Sequence, residues 1–230
     1  MLASLLSLRR ASRAVRPSSV FLAVVLITAV ACEPRASDFL GDDPTAQGIV
    51  ASGIRFLDES FQENDGGTID IDSVEVLIPP SHQSLAQSAD EVTFILVQFS
   101  ATVGSCRYVL AGNSSEFTGG VGSCDPGNAD TFRDSLVIGV LEIGGSAVAI
   151  AHGRSEPEVA SVEITFADSS VVTVPFDGSW LAHSEISPQD RNHPTSRIVA
   201  LNSERSIVAE VELPNIGSDR PGQDDHSHDQ

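Results

Sequence analysis

Residues 162–176 read VEITFADSSVVTVPF. Val162, Ile164 and Phe166 alternate with Glu163 and Thr165. After Asp168-Ser169-Ser170, the residues Val172, Val174 and Phe176 again share one side of the chain. Side chains of a strand point alternately to opposite faces, so a period of two with one apolar set predicts a strand with a dry face and a wet face. Asp and Ser between the two runs supply turn chemistry, and the stretch reads as an antiparallel hairpin.

The same grammar extends in both directions. Toward the C-terminus, Asp177-Gly178 predicts a second turn before Trp180, the sole tryptophan, expected in the core or at its edge. RIVAL (197–201) and SIVAEVEL (206–213) flank Asn202-Ser203-Glu204-Arg205. In the last run Ile207, Ala209, Val211 and Leu213 are expected to face inward, with Val208, Glu210 and Glu212 outward. Toward the N-terminus, LVIGVLEI (136–143) and SAVAIAH (146–152) are separated by Gly144-Gly145, a two-residue hairpin signal because glycine tolerates positive φ at both positions. RYVLA (107–111), the nearly all-apolar VTFILVQF (92–99) and VEVLI (74–78) complete the series, the last ended by Pro79-Pro80. Roughly nine or ten short strands with turns about ten residues apart predict an all-β domain. Its expected architecture is an antiparallel β-sandwich, or a partly closed barrel, over residues 53–214. Ile54, Leu57 and Phe61 are expected to line one face of a short helix at the start of this domain, and no long amphipathic helix is expected.

The ends of the chain have a different character. Residues 1–19 carry Arg9, Arg10, Arg13 and Arg16 and no acid, and 20–31 are apolar except Thr28. The apolar run is about a dozen residues, short of the roughly 20 that span a bilayer. A basic start, a short apolar run and small residues at its end predict an export signal over 1–31. Ala29-Val30-Ala31-Cys32 resembles the lipobox of bacterial lipoproteins, with Ala29 departing from the preferred leucine. The resemblance covers only the first 32 or so residues. It implies that Cys32 receives a diacylglyceryl group, becomes the first residue of the mature chain and anchors it to a membrane. Residues 33–52, rich in Pro, Gly and Asp, then read as a tether, so that 32–52 form a lipidated spacer. Residues 215–230 are polar and acidic and read as a disordered tail.

With Cys32 set aside, Cys106 and Cys124 remain, and an even pair in an exported chain predicts a disulfide. It would close a loop of roughly 19 residues and stabilise by about 3 kcal/mol on a chain-entropy argument.

All 32 acidic residues lie after Ala31, where only nine arginines and no lysine oppose them, a net charge of −23. So large an acidic excess repels phosphate backbones and argues against nucleic acid as a partner. Attachment to a membrane is expected through the lipid rather than a basic patch.

No motif of hydrolytic chemistry is present. The chain has no G-x-S-x-G and no H-E-x-x-H. His152 and His183 are the histidines that a spatially assembled Ser/His/acid set would use, and no catalytic residue is assigned. Asp65, Asp70 and Asp72 cluster in DGGTIDID, and His226 and His228 sit in DDHSHD. Both are weak candidates for a metal, because the first misses the alternating carboxylate pattern of an EF-hand loop and the second lies in a flexible tract. No cofactor is expected. The sequence therefore predicts an exported, lipid-anchored envelope protein acting as a non-enzymatic binding or structural module toward an unidentified envelope protein or ligand. The alternatives are an extracytoplasmic hydrolase and a metal-handling lipoprotein.

Overall fold

A computed structural model describes residues 40, 43–65, 67–88, 91–114, 116–125, 131–154, 158–176 and 178–213. The export signal, Cys32 and the acidic tail lie outside them. The described part contains one α-helix, α1 (Pro44–Asp65), a single 3-10 turn (Pro188–Asp190) and twelve strands. These are β1 (Ile69–Val76), β2 (Ser81–Ser84), β3 (Glu91–Ala101), β4 (Gly104–Asn113), β5 (Glu116–Asp125), β6 (Val137–Ile143), β7 (Ser146–Arg154), β8 (Ser161–Phe166), β9 (Val171–Pro175), β10 (Ser179–Ile186), β11 (Thr195–Leu201) and β12 (Ile207–Glu212).

All pairings are antiparallel and make three sheets. The first runs β1-β3-β4-β5 with β2 also on β3, the second β10-β7-β6, the third β12-β11-β8-β9. The fold is all-β and sandwich-like, and no sheet closes into a barrel.

The order of layers follows from which residues share a core. Ala46, Ile49, Ile54 and Leu57 of α1 pack on Ile95, Val97, Phe99 and Leu110, one face of the first sheet. The other face of that sheet, with Phe94, Leu96, Val109 and Ala111, packs on Val148, Ile150 and Leu181 of the second. The opposite face of the second sheet, with Ala147, Ala149, Ala151 and Trp180, packs on Val162, Ile164, Phe166 and Ile198 of the third. Helix and sheets thus lie in four successive layers. This is why β3 is apolar on both faces and β8 on only one: β3 lies between the helix and the second sheet, while β8 turns Glu163 outward. The alanines of β7 set a short side-chain layer against the bulkier residues of the third sheet.

Several expectations are corrected. Residues 44–52 are not tether but the first half of α1, which is 22 residues long and amphipathic. Asp43 is its N-cap, its Oδ1 accepting from the backbone N–H of Thr45 and Ala46 at 2.9 and 3.1 Å, and Pro44 takes the first helical position. The apolar residues of this helix fall three and four apart. Gly53 lets it come close to the sheet, since a Cβ there would meet Leu110 and Phe117 at 3.0 Å. In the last strand, Ile207 is 55% exposed rather than inward-facing. The ladder pairs Ala200 with Ala209 but Leu201 with Ile207, so Val208 is an extra residue and the alternation reverses across the bulge.

Three strands were not legible. Of these, β5 lies in the glycine-rich segment between the cysteines. Its glycines permit close approach: a Cβ on Gly122 would sit 2.2 Å from the Arg107 carbonyl oxygen and 2.4 Å from the Tyr108 ring. The Gly144-Gly145 hairpin forms as expected, with φ of 59° and 92°.

Candidate functional site

Cys106 and Cys124 are directly opposite each other on β4 and β5 and are joined by a disulfide. Cys106 is fully buried, and the bridge lies on the helix-facing side of the first sheet. It ties the inner strand β4 to the edge strand β5 beneath α1 rather than closing a flexible loop.

The acidic stretch at 65–72 is divided between two elements. Asp65 is the last residue of α1, whereas Asp70 and Asp72 lie on β1. Asp70 Oδ1 accepts from the Asp72 N–H at 3.2 Å, and Ser73 Oγ donates to the Asp70 carbonyl at 2.6 Å while accepting from the Ser100 N–H at 2.8 Å. These bonds hold the irregular segment where β1 slips its register against β3 between Asp70 and Glu75. Among the described residues no three His, Cys, Asp or Glu side chains converge as a metal would require. His226 and His228 lie outside the described residues.

The strongest constellation is at the edge of the first and second sheets. Residues 181, 183 and 185 of β10 share the face that looks toward the first sheet, and β2 lies beside them. His183 Nε2 is 2.9 Å from Ser81 Oγ, and its Nδ1 is 2.8 Å from Gln83 Oε1. The imidazole stacks on Phe94, with ring centroids 4.2 Å apart and planes at 21°. If Nδ1–H donates to the amide oxygen, Nε2 accepts the Ser81 hydroxyl, the tautomer a general base needs. Two rungs along, Glu185 accepts from Ser146 Oγ at 2.5 Å and from the Ala86 N–H at 2.9 Å.

The electrostatics weigh against strong base catalysis. Burial pushes the His183 pKa from 6.5 down to about 4. Its orienting partner is a neutral amide, so an imidazolium formed during proton transfer would lack a counter-charge. The carboxylate of Glu185 is engaged by Ser146 and Ala86 instead. The arrangement is better described as a polar clasp, in which β2 of one sheet is held to β10 of the next. Sequence reading singled out His183 but not Ser81 or Gln83. The four residues SHQS after Pro79-Pro80 carry no motif, and only the pairing of β2 with β3 brings them to β10.

His152 is in a different state. It is on central β7 and fully buried, and its one polar neighbour, the Val121 backbone, stands short of full hydrogen-bond geometry. Burial lowers its pKa to about 4, opposed in part by the Val121 backbone. Among the described residues no serine or carboxylate is hydrogen-bonded to it.

A second polar cluster lies at the end of the same inter-sheet space. Gln98 Oε1 accepts from Arg107 Nε at 3.0 Å, from Arg107 Nη2 at 2.9 Å and from Arg154 Nη2 at 2.7 Å. Arg107 is cross-strand from Gln98 on the first sheet, and Arg154 reaches over from β7.

Among the described residues no helix is long and apolar enough to cross a membrane. Comparison of the chain with known protein families, with curated proteins and with solved structures finds no match.

Proposed function

We propose that this chain is an exported protein, lipid-anchored through Cys32, whose sheet body acts outside the cytoplasm as a non-enzymatic binding or structural module. The observation that carries this reading is the Cys106–Cys124 disulfide, buried beneath α1. Such bonds form and persist in oxidising compartments and are rare where thiols are kept reduced. The lipobox-like residues ahead of Cys32 supply the anchor. The body supports a module rather than an enzyme because its best-formed Ser–His contact is held by a neutral amide around an imidazole that stays uncharged at pH 7. Mass spectrometry of native material is expected to find Cys32 as the first residue, carrying acyl mass. Cys32→Ser is expected to retain the leader and lose the lipid. An intact leader with no acyl group on the native chain would overturn the proposal.

One observation favours a second reading, a serine hydrolase: the 2.9 Å contact of Ser81 Oγ with His183 Nε2. Labelling with a fluorophosphonate probe separates the two. A clasp predicts no adduct on Ser81, and Ser81→Ala then costs about 1 kcal/mol of stability through the lost hydrogen bond. A covalent adduct at Ser81 that needs His183 would install the hydrolase in place of the module.

A further inference from the structure

We propose that the outward face of the third sheet is a self-association surface, on which a second copy of this chain packs face to face across a twofold axis. The inference goes beyond the proposed function and holds whether or not Cys32 is acylated.

The strand register lays this face out. The third sheet turns Val162, Ile164, Ile198 and Val211 toward the second, so the residues between them point away from it. Val199 stands at the centre of the outward set, with Glu163 of β8 on one side and Glu210 of β12 on the other. Arg197 is one rung along β11 on the same face, and its Nε donates to Glu210 at 2.6 Å. From the turn at the opposite end, Arg205 reaches back to Glu163 at 2.9 Å. Two arginines and two glutamates thus alternate in sign around an apolar centre. Val199 and its neighbour Leu201 are buried, yet they belong to none of the three cores. Ile207, paired with Leu201, and Val171, paired with Thr165, are both more than half exposed. They are two of the five large apolar side chains left exposed among the described residues.

The backbone at Arg205 is a second, independent observation. Its φ is 62°, in the left-handed region where glycine or asparagine is the usual occupant. Asn202 Oδ1 accepts from the N–H groups of Glu204 and Ser206 at 3.0 and 2.9 Å and fixes this turn. A glycine would meet the same turn without strain. The exposed pair with Glu163 is too weak to offset that strain by itself. An arginine held in this conformation points to a use for its guanidinium outside the turn.

Charge decides the occupant. After Ala31 the chain carries a net charge of −23, so a second copy is repelled over most of its surface. The outward face is close to balanced, with Arg197 and Arg205 against Glu163, Glu210 and Glu212. Its alternating signs are self-complementary. A twofold axis lying in the face and running obliquely from Ile207 toward Thr165 sets the glutamates of one copy over the arginines of the other, and Ile207 against its own counterpart. The contact is isologous and the strands cross steeply, as in orthogonal sheet packing. Pairing through sheet edges is disfavoured, because β9 ends in Pro175 and β12 carries the Val208 bulge and two glutamates. Four strands about 4.8 Å apart, each of about six residues rising about 3.3 Å, give a footprint of roughly 20 by 20 Å. That is at the small end of specific interfaces and corresponds to a micromolar rather than a nanomolar dimer.

Sedimentation equilibrium of the full chain in mild detergent, over a concentration series, is the test. A reversible monomer–dimer equilibrium is expected for the wild type. Ile207→Glu and Arg205→Gly are each expected to weaken it roughly tenfold or more while retaining the wild-type circular dichroism, because both positions are exposed and glycine suits the turn. Ile71→Glu makes the same apolar-to-acid change at an equally exposed residue of the first sheet and is expected to leave the equilibrium unchanged. A wild-type chain that stays monomeric well above micromolar concentration would overturn the proposal and leave the face to a different protein. Dimers indifferent to Ile207→Glu or to Arg205→Gly would overturn it too, because contacts through the leader or an acyl chain would behave in that way. Equal weakening by Ile71→Glu would reduce the effect to added charge and sink the assignment of this face. None of these results bears on acylation of Cys32, which is read by mass.

Discussion

Acidification from pH 7 to pH 4 is expected to remove about 3 kcal/mol of stability through His152, and somewhat less through His183, whose ring keeps some solvent contact. Both have their pKa lowered from 6.5 to about 4 by burial. The sign follows from proton counting. Between those values the unfolded chain binds a proton at each histidine and the native chain does not, so lowering the pH favours unfolding. The stability is complete above pH 6.5, is lost progressively as pH falls toward about 4, and the loss levels off below it. The acidic surface acts in the opposite sense, because neutralising carboxylates relieves self-repulsion. The histidine contribution is therefore isolated by a variant. His152→Leu replaces a ring whose contact with the Val121 backbone falls short of a full hydrogen bond by an apolar side chain, so it is expected to cost little at pH 7 and to remove about half of the acid dependence. Urea midpoints at pH 7.5, 6, 5 and 4 for both proteins provide the measurement. An unchanged pH slope in His152→Leu would show that this ring is not what acid acts on.

Replacing Trp180 by alanine is expected to cost about 3–5 kcal/mol, the range for truncating a buried aromatic. Trp180 is 1% exposed and lies where β10 meets the core between the second and third sheets. Its ring stacks on Phe132 with centroids 6.0 Å apart, and Gly153 opposite is shaped to it: a Cβ there would stand 3.1 Å from the indole. Deleting the ring leaves a cavity between two strands and the Phe132 turn, which the alanines of β7 are too small to fill. The indole N–H has no hydrogen-bond partner. Trp180→Phe is accordingly expected to cost far less than the alanine change, because only volume is lost. Thermal or urea unfolding followed by circular dichroism tests both. A phenylalanine variant as unstable as the alanine variant would mean that the indole N–H carries a bond the packing does not suggest.

The architecture was partly legible because each signal was local. Alternation in VEITF and VVTVP marks one-sided strands, and the third sheet has its outer face wet as those patterns require. The Gly144-Gly145 turn needs only the backbone freedom of glycine. Other elements hide their cause in distant residues. The glycines of β5 read as a loop, yet they form a strand because Arg107 and Tyr108 of β4 need the space that side chains would occupy. SHQS has no pattern of its own and becomes β2 because β3 offers it a partner. The helix start was readable in principle, since Asp43-Pro44 is a cap followed by a first-turn proline. Two glycines at 48 and 53 and the acidic flank masked it as tether. The candidate sites were the least legible part. Ser81 and Gln83 lie about a hundred residues from His183, and Gln98 lies 56 residues from Arg154. No spacing rule connects them.

Composition and periodicity alone determined that this chain is acidic, built of antiparallel strands and punctuated by turns, because charge count and the two-residue alternation are properties of a segment by itself. The tertiary structure decided that the sheets stack three deep under a helix, and that two arginines meet on a glutamine while a histidine is buried on a central strand. Those outcomes depend on which faces of separate sheets come together, and the free energy of burying one face against another belongs to the pair rather than to either strand.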